Sequence, residues 1–206
     1  MTEDLYQREV NPLLVVISGA SAVGKDAVIR RMAELGHPFC FVVTATTRPR
    51  REEEIDGRDY LFLTEHEFLR MIDQDEFLEH ALVYGYHKGI PKQHVREALA
   101  GGHDVIMRVD VQGAATVHHL VPQAVLIFMI TSSEEELLGR LKTRGTESME
   151  ELALRIEMIR EEMDRLEDFD YIAVNADGML DDAVEEIACI IRAEKCRVRQ
   201  RPTVEL

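Results

Sequence analysis

The chain has 206 residues, 46% of them hydrophobic and 31% charged, with a formal net charge of −15. That is enough for one domain, or one core with lids, and its acidity excludes general nucleic-acid binding, which needs a basic face to replace counterions around phosphates. No apolar run approaches the ~20 residues of a membrane helix, Met1 to Asn11 is too polar and acidic for a signal peptide, and the odd set Cys40, Cys189 and Cys196 has neither metal nor disulfide-framework spacing, which predicts a reducing cytoplasm.

Apolar strand-like runs alternate with helix-like stretches, the pattern of a mainly parallel sheet flanked by helices. Leu13 to Ile17 reads as the first strand. Gly19-Ala20-Ser21-Ala22-Val23-Gly24-Lys25-Asp26 follows and has the complete G-x-x-x-x-G-K spacing of a phosphate-binding loop. Glycines in such a loop let successive backbone N–H groups point inward, at a helix N-terminus whose dipole adds positive potential. Lys25 adds a mobile point charge. The final position should be Ser or Thr for magnesium; here it is Asp26.

A helix is predicted from Asp26 to Leu35 and a second strand over Phe39 to Val43. The polar stretch from Thr44 to Asp59 carries Arg48, Arg50, Arg51 and Arg58, an island of positive charge on an acidic protein. Tyr60 to Leu63 is strand-like, and Thr64 with Glu67 forms a capping box for a helix to about Asp73. Phe77 to Pro91, with Gly85 and Gly89, has the short alternation of a hairpin. Lys92 to Ala100 is helical and stops at Gly101-Gly102.

Val105 to Asp110 is a buried strand ending in a carboxylate, and Ala124 to Ile130 another. A helix opens at Ser133 and carries a second basic island, Arg140, Lys142 and Arg144, before Arg144-Gly145-Thr146 breaks it. A charged helix runs from about Ser148 to Leu166, Tyr171 to Val174 is the last strand, and Asp181 to about Lys195 the last helix. Lys195, Arg197, Arg199 and Arg201 read as a solvated tail.

The segment Thr46-Thr47-Arg48-Pro49-Arg50-Arg51-Glu52-Glu53-Glu54-Ile55-Asp56-Gly57-Arg58-Asp59-Tyr60 resembles the T-T-R-x-x-R-x-x-E-x-x-G-x-D-Y segment of guanylate kinases. With the loop, Glu79, Val109-Asp110-Val111-Gln112-Gly113 and Arg144-Gly145-Thr146, the resemblance runs from about Leu13 to Ile191. It implies an α/β fold: a P-loop NTPase-like parallel sheet flanked by helices, with an inserted nucleotide-monophosphate-binding subdomain and a helical lid. The corresponding division is a core of 12–43, 92–139 and 158–195, an insertion of 44–91, a lid of 140–157, and polar tails of 1–11 and 196–206.

The activity implied is transfer of the γ-phosphoryl of ATP to GMP with Mg²⁺, by a monomer or homodimer with no nucleic-acid or membrane partner. By the same resemblance, Gly19, Ala20, Ser21, Ala22, Val23, Gly24, Lys25, Asp26, Arg140 and Asn175 bind ATP. Thr44, Arg48, Arg51, Tyr60, Glu79, Lys88 and Asp110 bind GMP: the arginines and Tyr60 grip the phosphate, while Glu79 and Asp110 accept from guanine N1–H and the exocyclic amine. Lys25, Arg48, Arg144 and Arg155 neutralise charge on the transferred group, and Asp26 is the candidate Mg²⁺ ligand.

Four positions depart from the family pattern. Asp26 replaces the loop hydroxyl, Arg108 the first acid of a D-x-D strand, Lys88 a phosphate-binding tyrosine, and Ile90 a small hydroxyl residue near the guanine carbonyl. Asp26 and Arg108 read as one exchange of charge and are expected to form an ion pair. An acid after the loop lysine also resembles ribose 1,5-bisphosphate phosphokinases, and the altered magnesium residues resemble scaffold domains that bind proteins through a former nucleotide site. The intact glycines and Lys25, with the retained GMP segment, favour the kinase.

Overall fold

In a computed structural model, the chain is described over residues 10–83, 85–144, 149–204 and 206, with backbone alone at 142–144 and 149–155. A five-stranded parallel sheet forms the centre, in the order β2 (Phe39–Phe41), β7 (Asp104–Arg108), β1 (Leu14–Gly19), β8 (Val125–Ile130), β9 (Tyr171–Val174). Both faces are covered, which is why its strands are continuous apolar runs rather than alternating ones. Leu13, Val15 and Ile17 face a cluster closed by α1 (Lys25–Glu34) and α7 (Leu180–Lys195), while Leu14 and Val16 face one closed by α3 (Lys92–Ala100) and α4 (Val111–Leu120).

The predicted strand Phe39 to Val43 ends earlier, at Phe41, because the chain there leaves the central sheet for a second one. That sheet has the order β4 (Leu61–Phe62), β3 (Ala45–Thr46), β6 (Tyr86–Pro91), β5 (Phe77–Val83). β3 was not legible as a strand, since two residues are too short for an alternation signal. The hairpin β5–β6 is as expected, and the capping box opens α2 (Glu65–Asp73): Glu67 N–H donates to Thr64 Oγ1 at 3.2 Å and Thr64 N–H to Glu67 Oε2 at 2.8 Å. This smaller sheet has its own core, where Phe68 stacks on Phe77 with ring centres 4.3 Å apart. α5 (Glu134–Arg144) and α6 (Met149–Met163) follow β8. α6 ends before the expected Leu166, and a short 3-10 turn takes over.

The C-terminal basic residues correct the reading of a solvated tail. Arg201 donates to Glu194 Oε2 at 2.8 Å and to the Ala124 carbonyl at 2.9 Å, and Lys195 Nζ meets Asp104 Oδ2 at 2.6 Å. Val204 and Leu206 pack on the apolar cluster beneath α3 and α4. Charged runs at a terminus fold back when buried carboxylates wait for them, here Glu194 at 1% exposure. Among the described residues no helix is long and apolar enough to cross a membrane.

Because Arg201 neutralises a buried acid, Arg201→Ala should lower unfolding free energy by about 2–3 kcal/mol, whereas exposed Arg199→Ala should stay within about 0.5 kcal/mol. Urea denaturation of the two variants measures the contrast.

Candidate functional site

The C-terminal edge of a parallel sheet is where ligands of open α/β folds collect, and β1 ends there in the glycine loop. Gly19 has φ 138°, and a Cβ would run into the Met129 carbonyl of β8. Gly24 has φ 94°, and a Cβ there would strike the Asn175 amide. Both glycines are therefore demanded by the close approach of neighbouring chain. α1 starts at Lys25 without a side-chain cap, which leaves its first amides to an external anion.

Two side chains brace the loop from behind. Asn175, 5% exposed, donates from its amide to the Val23 carbonyl at 2.8 Å. Arg140 donates to the same carbonyl at 3.2 Å and to the Asn175 carbonyl at 2.9 Å, and it also pairs with Glu136 and Asp177. On the open side, Lys25 Nζ donates to the carbonyls of Gly19 at 2.6 Å and Ala20 at 3.0 Å. The Ser21 amide donates to Glu162 Oε2 at 3.1 Å, so a carboxylate from α6 occupies one of the loop amides. Burial pushes the Glu162 carboxyl up, against the pull of the Ser21 amide and Lys25.

A second group of cations belongs to the smaller sheet. Arg48 makes a two-pronged pair with Glu54, with Nη1 to Oε2 at 2.8 Å, and its guanidinium lies 4.9 Å from the centre of the Tyr60 ring. The Arg51 amide donates to the same carboxylate at 2.9 Å. The Arg48 fork, and then that amide, hold the Glu54 carboxyl down at about 2. Lys88, in register with Thr46, is half-buried; burial first, then the charges of Arg48 and Arg51, lower its ammonium pKa. Three cations thus converge on one place, which is the composition of an oxyanion site.

A pair of carboxylates lies at the start of α4. Asp110 is the N-cap and accepts from the Gly113 amide at 2.7 Å. Glu79 comes just after a bulge in β5, where pairing shifts between Phe77 and Glu79. Ordinary strand alternation sends Phe77 and Leu78 into two different cores, and the bulge breaks that alternation and turns Glu79 toward α4, on the side of Leu78. Gly113 leaves room for this approach: a Cβ there would sit 3.0 Å from Val109 Cβ and 3.1 Å from the Glu79 carboxyl carbon, so the neighbours would have to shift by a few tenths of an ångström. Burial, and then the charge of Asp110, push Glu79 up to about 7. Thr44 is half-buried, and its carbonyl accepts from Leu61 at 3.0 Å. Ile90, 1% exposed, belongs to the apolar cluster under α3.

One guanidinium joins the two halves of the cleft. Arg108, at the end of β7 and in register with Ile17 of β1, makes the expected ion pair with Asp26. Its other terminal nitrogen lies 3.5 Å from the Tyr60 hydroxyl, the outer limit of a hydrogen bond. Of the predicted residues, Arg144 and Arg155 have side chains outside the described residues, as do Gly145 and Thr146 altogether. Glu54 and Glu162 received no role from the sequence. The position of Glu54 three residues after Arg51 was a usable signal; Glu162 is one acid among many on a charged helix and gave none.

The sequence matches the guanylate kinase family over residues 11–194. It is 50% identical over 191 residues to guanylate kinase 2, chloroplastic/mitochondrial, of Oryza sativa subsp. japonica, covering 92% of this chain and 67% of that one. It is 44% identical over 186 residues to the guanylate kinase of Caldanaerobacter subterraneus subsp. tengcongensis, covering 90% of this chain and 89% of that one. The fold matches the crystal structure of guanylate kinase from Anaplasma phagocytophilum with a TM-score of 0.71 at 25% identity, over 92% of this chain and 89% of that one. The match spans the loop, the Arg48–Tyr60 segment and the carboxylate pair alike, and the chain belongs to the guanylate kinase family.

Proposed function

We propose that the chain transfers the γ-phosphoryl group of ATP to GMP, giving ADP and GDP. The observation that carries this reading is the closeness of its two anion sites: Arg108, paired with Asp26 at the loop, reaches to 3.5 Å from the Tyr60 hydroxyl, and the Tyr60 ring centre lies 4.9 Å from the Arg48 guanidinium. Donor and acceptor phosphates held in these places would meet. The relatives favour neither a sugar-phosphate kinase nor a protein-binding module, and the 44-91 insertion and 140-157 lid are proposed to close over the cleft with the reaction in a cytoplasmic protein.

ATP phosphates would take the loop amides, displacing Glu162 from Ser21, while Lys25 exchanges the Gly19 and Ala20 carbonyls for phosphate oxygens. Asn175 and Arg140 act from behind, fixing the loop through Val23. Arg144 and Arg155 are proposed to cover the phosphates from the lid. The GMP phosphate would enter between Arg48, Arg51, Lys88 and Tyr60, and its base would meet Thr44, Glu79 and Asp110. Carboxylates at N1–H and the exocyclic amine reject adenine, which leaves them unpaired.

A phosphate oxygen of GMP then forms a bond to the γ-phosphorus as the bond from that phosphorus to the bridging oxygen breaks, and ADP leaves with the electron pair. The attacking oxygen is already anionic, so no general base is needed; positioning and charge neutralisation carry the step. The donor set fits Mg²⁺: this ion takes one or two carboxylates and completes its shell with phosphate oxygens and water, and Asp26 supplies an exposed carboxylate in the first turn of α1 beside Lys25. When bound, the ion would neutralise charge on the β- and γ-phosphates.

An acceptor screen with ATP and Mg²⁺ should show GMP-dependent ADP release well above that with AMP, a sugar phosphate or no acceptor; equal release without acceptor would contradict the reading. Lys25→Ala should reduce turnover by at least roughly 10²–10³-fold. Arg51→Ala should raise the KM for GMP about 10–100-fold with a smaller effect on kcat.

Glu79 generates a pH prediction. Its carboxylate accepts from guanine through both oxygens and with charge assistance, and in the free enzyme that form is lost as pH falls through about 7. GMP affinity should therefore weaken by up to about tenfold per pH unit below that point. Glu79→Gln, which shares the titration of the GMP phosphate but lacks this group, should bind more weakly and show a shallower slope in a titration from pH 5 to 8.

A further inference from the structure

We propose that Arg108 is a ligand of the GMP phosphate, held against Asp26 until GMP arrives. The inference rests on the assignment of Tyr60, Arg48 and Arg51 to that phosphate.

The geometry of the fork comes first. A guanidinium offers planar, parallel donors suited to two oxygens at once. That of Arg108 points one terminal nitrogen at Asp26 and the other toward the Tyr60 hydroxyl, 3.5 Å away. Tyr60 in turn lies under the Arg48 guanidinium, 4.9 Å from ring centre to carbon. The phenol therefore stands between two arginines, and an anion that reaches its hydroxyl meets a fork from either side. A phosphate has three terminal oxygens, which is what two forks and a phenol can share.

Solvation separates this from an ordinary surface pair. The Arg108 side chain is 30% exposed and burial lowers its pKa, whereas the Asp26 side chain is 66% exposed. The cation is thus the dehydrated partner and the acid is the hydrated one. Asp26 can return to water, stabilised by the positive end of α1, but Arg108 at the end of β7 needs another anion in its place. The Glu54 carboxylate is engaged by Arg48 and Arg51, and Asp110 caps α4. An incoming phosphate is the anion that the cleft is shaped to deliver. Transfer of Arg108 to GMP would also release Asp26 beside Lys25, so that the acceptor prepares the donor side.

GMP binding measured by calorimetry, with neither ATP nor Mg²⁺ present, tests this directly. Arg108→Gln should weaken GMP by about tenfold or more, the loss of a charge-assisted fork. Arg108→Lys, which keeps the charge without the fork, should fall between parent and Gln variant, and serves if the Gln variant fails a thermal-melt check of folding. Asp26→Asn should tighten GMP several-fold, because it removes the competitor, and should have no effect when Arg108→Gln is already present. GMP binding unchanged in both Arg108 variants would overturn the inference. So would equal weakening by Asp26→Asn and Arg108→Gln, the signature of an ion pair that serves only the fold. Failure of the parent chain to bind GMP would overturn the assignment of the whole site, and this inference with it.

Discussion

Cations gathered in a partly dehydrated cleft need counter-charges before any substrate arrives, and this requirement organises the site. Four of the groups suited to hold phosphate already have an oxygen of the protein against them. Lys25 holds two carbonyls of its own loop, the Ser21 amide holds Glu162, Arg48 holds Glu54, and Arg108 holds Asp26. An isolated desolvated charge is expensive, whereas a paired one is tolerable. In the proposed reaction, the carboxylates and carbonyls stand where phosphate oxygens would come. They keep the arginines extended toward the cleft, in part pre-paying the entropy of ordering long side chains.

The fold supplies the framework through backbone approach more than through side-chain variety. Gly19 lets β1 pass against β8, Gly24 lets Asn175 brace the loop, and Gly113 lets Glu79 reach the start of α4. The bulge in β5 does for Glu79 what no rotamer could, by breaking the strand alternation so that Glu79 follows Leu78 to the side of α4. Positions that must hold charge in register are thus fixed by sheet edges and a helix start.

Much of this was legible in the chain because it is local. The loop spacing, the Thr64–Glu67 capping box, the hairpin before Pro91 and the helix stop at Gly101 each need only a few adjacent residues. The Asp26–Arg108 contact, between residues far apart in sequence, was legible because two departures of opposite sign fell at neighbouring places of one motif set. What escaped was non-local and carried no compositional mark. Glu162 meets Ser21 across the whole domain, Arg201 reaches the Ala124 carbonyl only once the terminus folds back, and β3 is defined by its partners rather than by its two residues. Ile90 stands at a motif position yet is spent on the apolar cluster beneath α3. Arg140, read as a lid cation, is committed to the carbonyls of Val23 and Asn175, a use that depends on how α5 packs.

On binding, substrate phosphates are expected to replace the protein's own oxygens at Ser21, Lys25, Arg48 and Arg108. A crystal structure with GMP and a non-hydrolysable ATP analogue tests it most directly. Glu162 should be withdrawn from the Ser21 amide, Lys25 turned from its carbonyls to the donor phosphates, and Arg48 and Arg108 forked onto the GMP phosphate. Phosphates bound elsewhere, with all of these internal pairs intact, would contradict it.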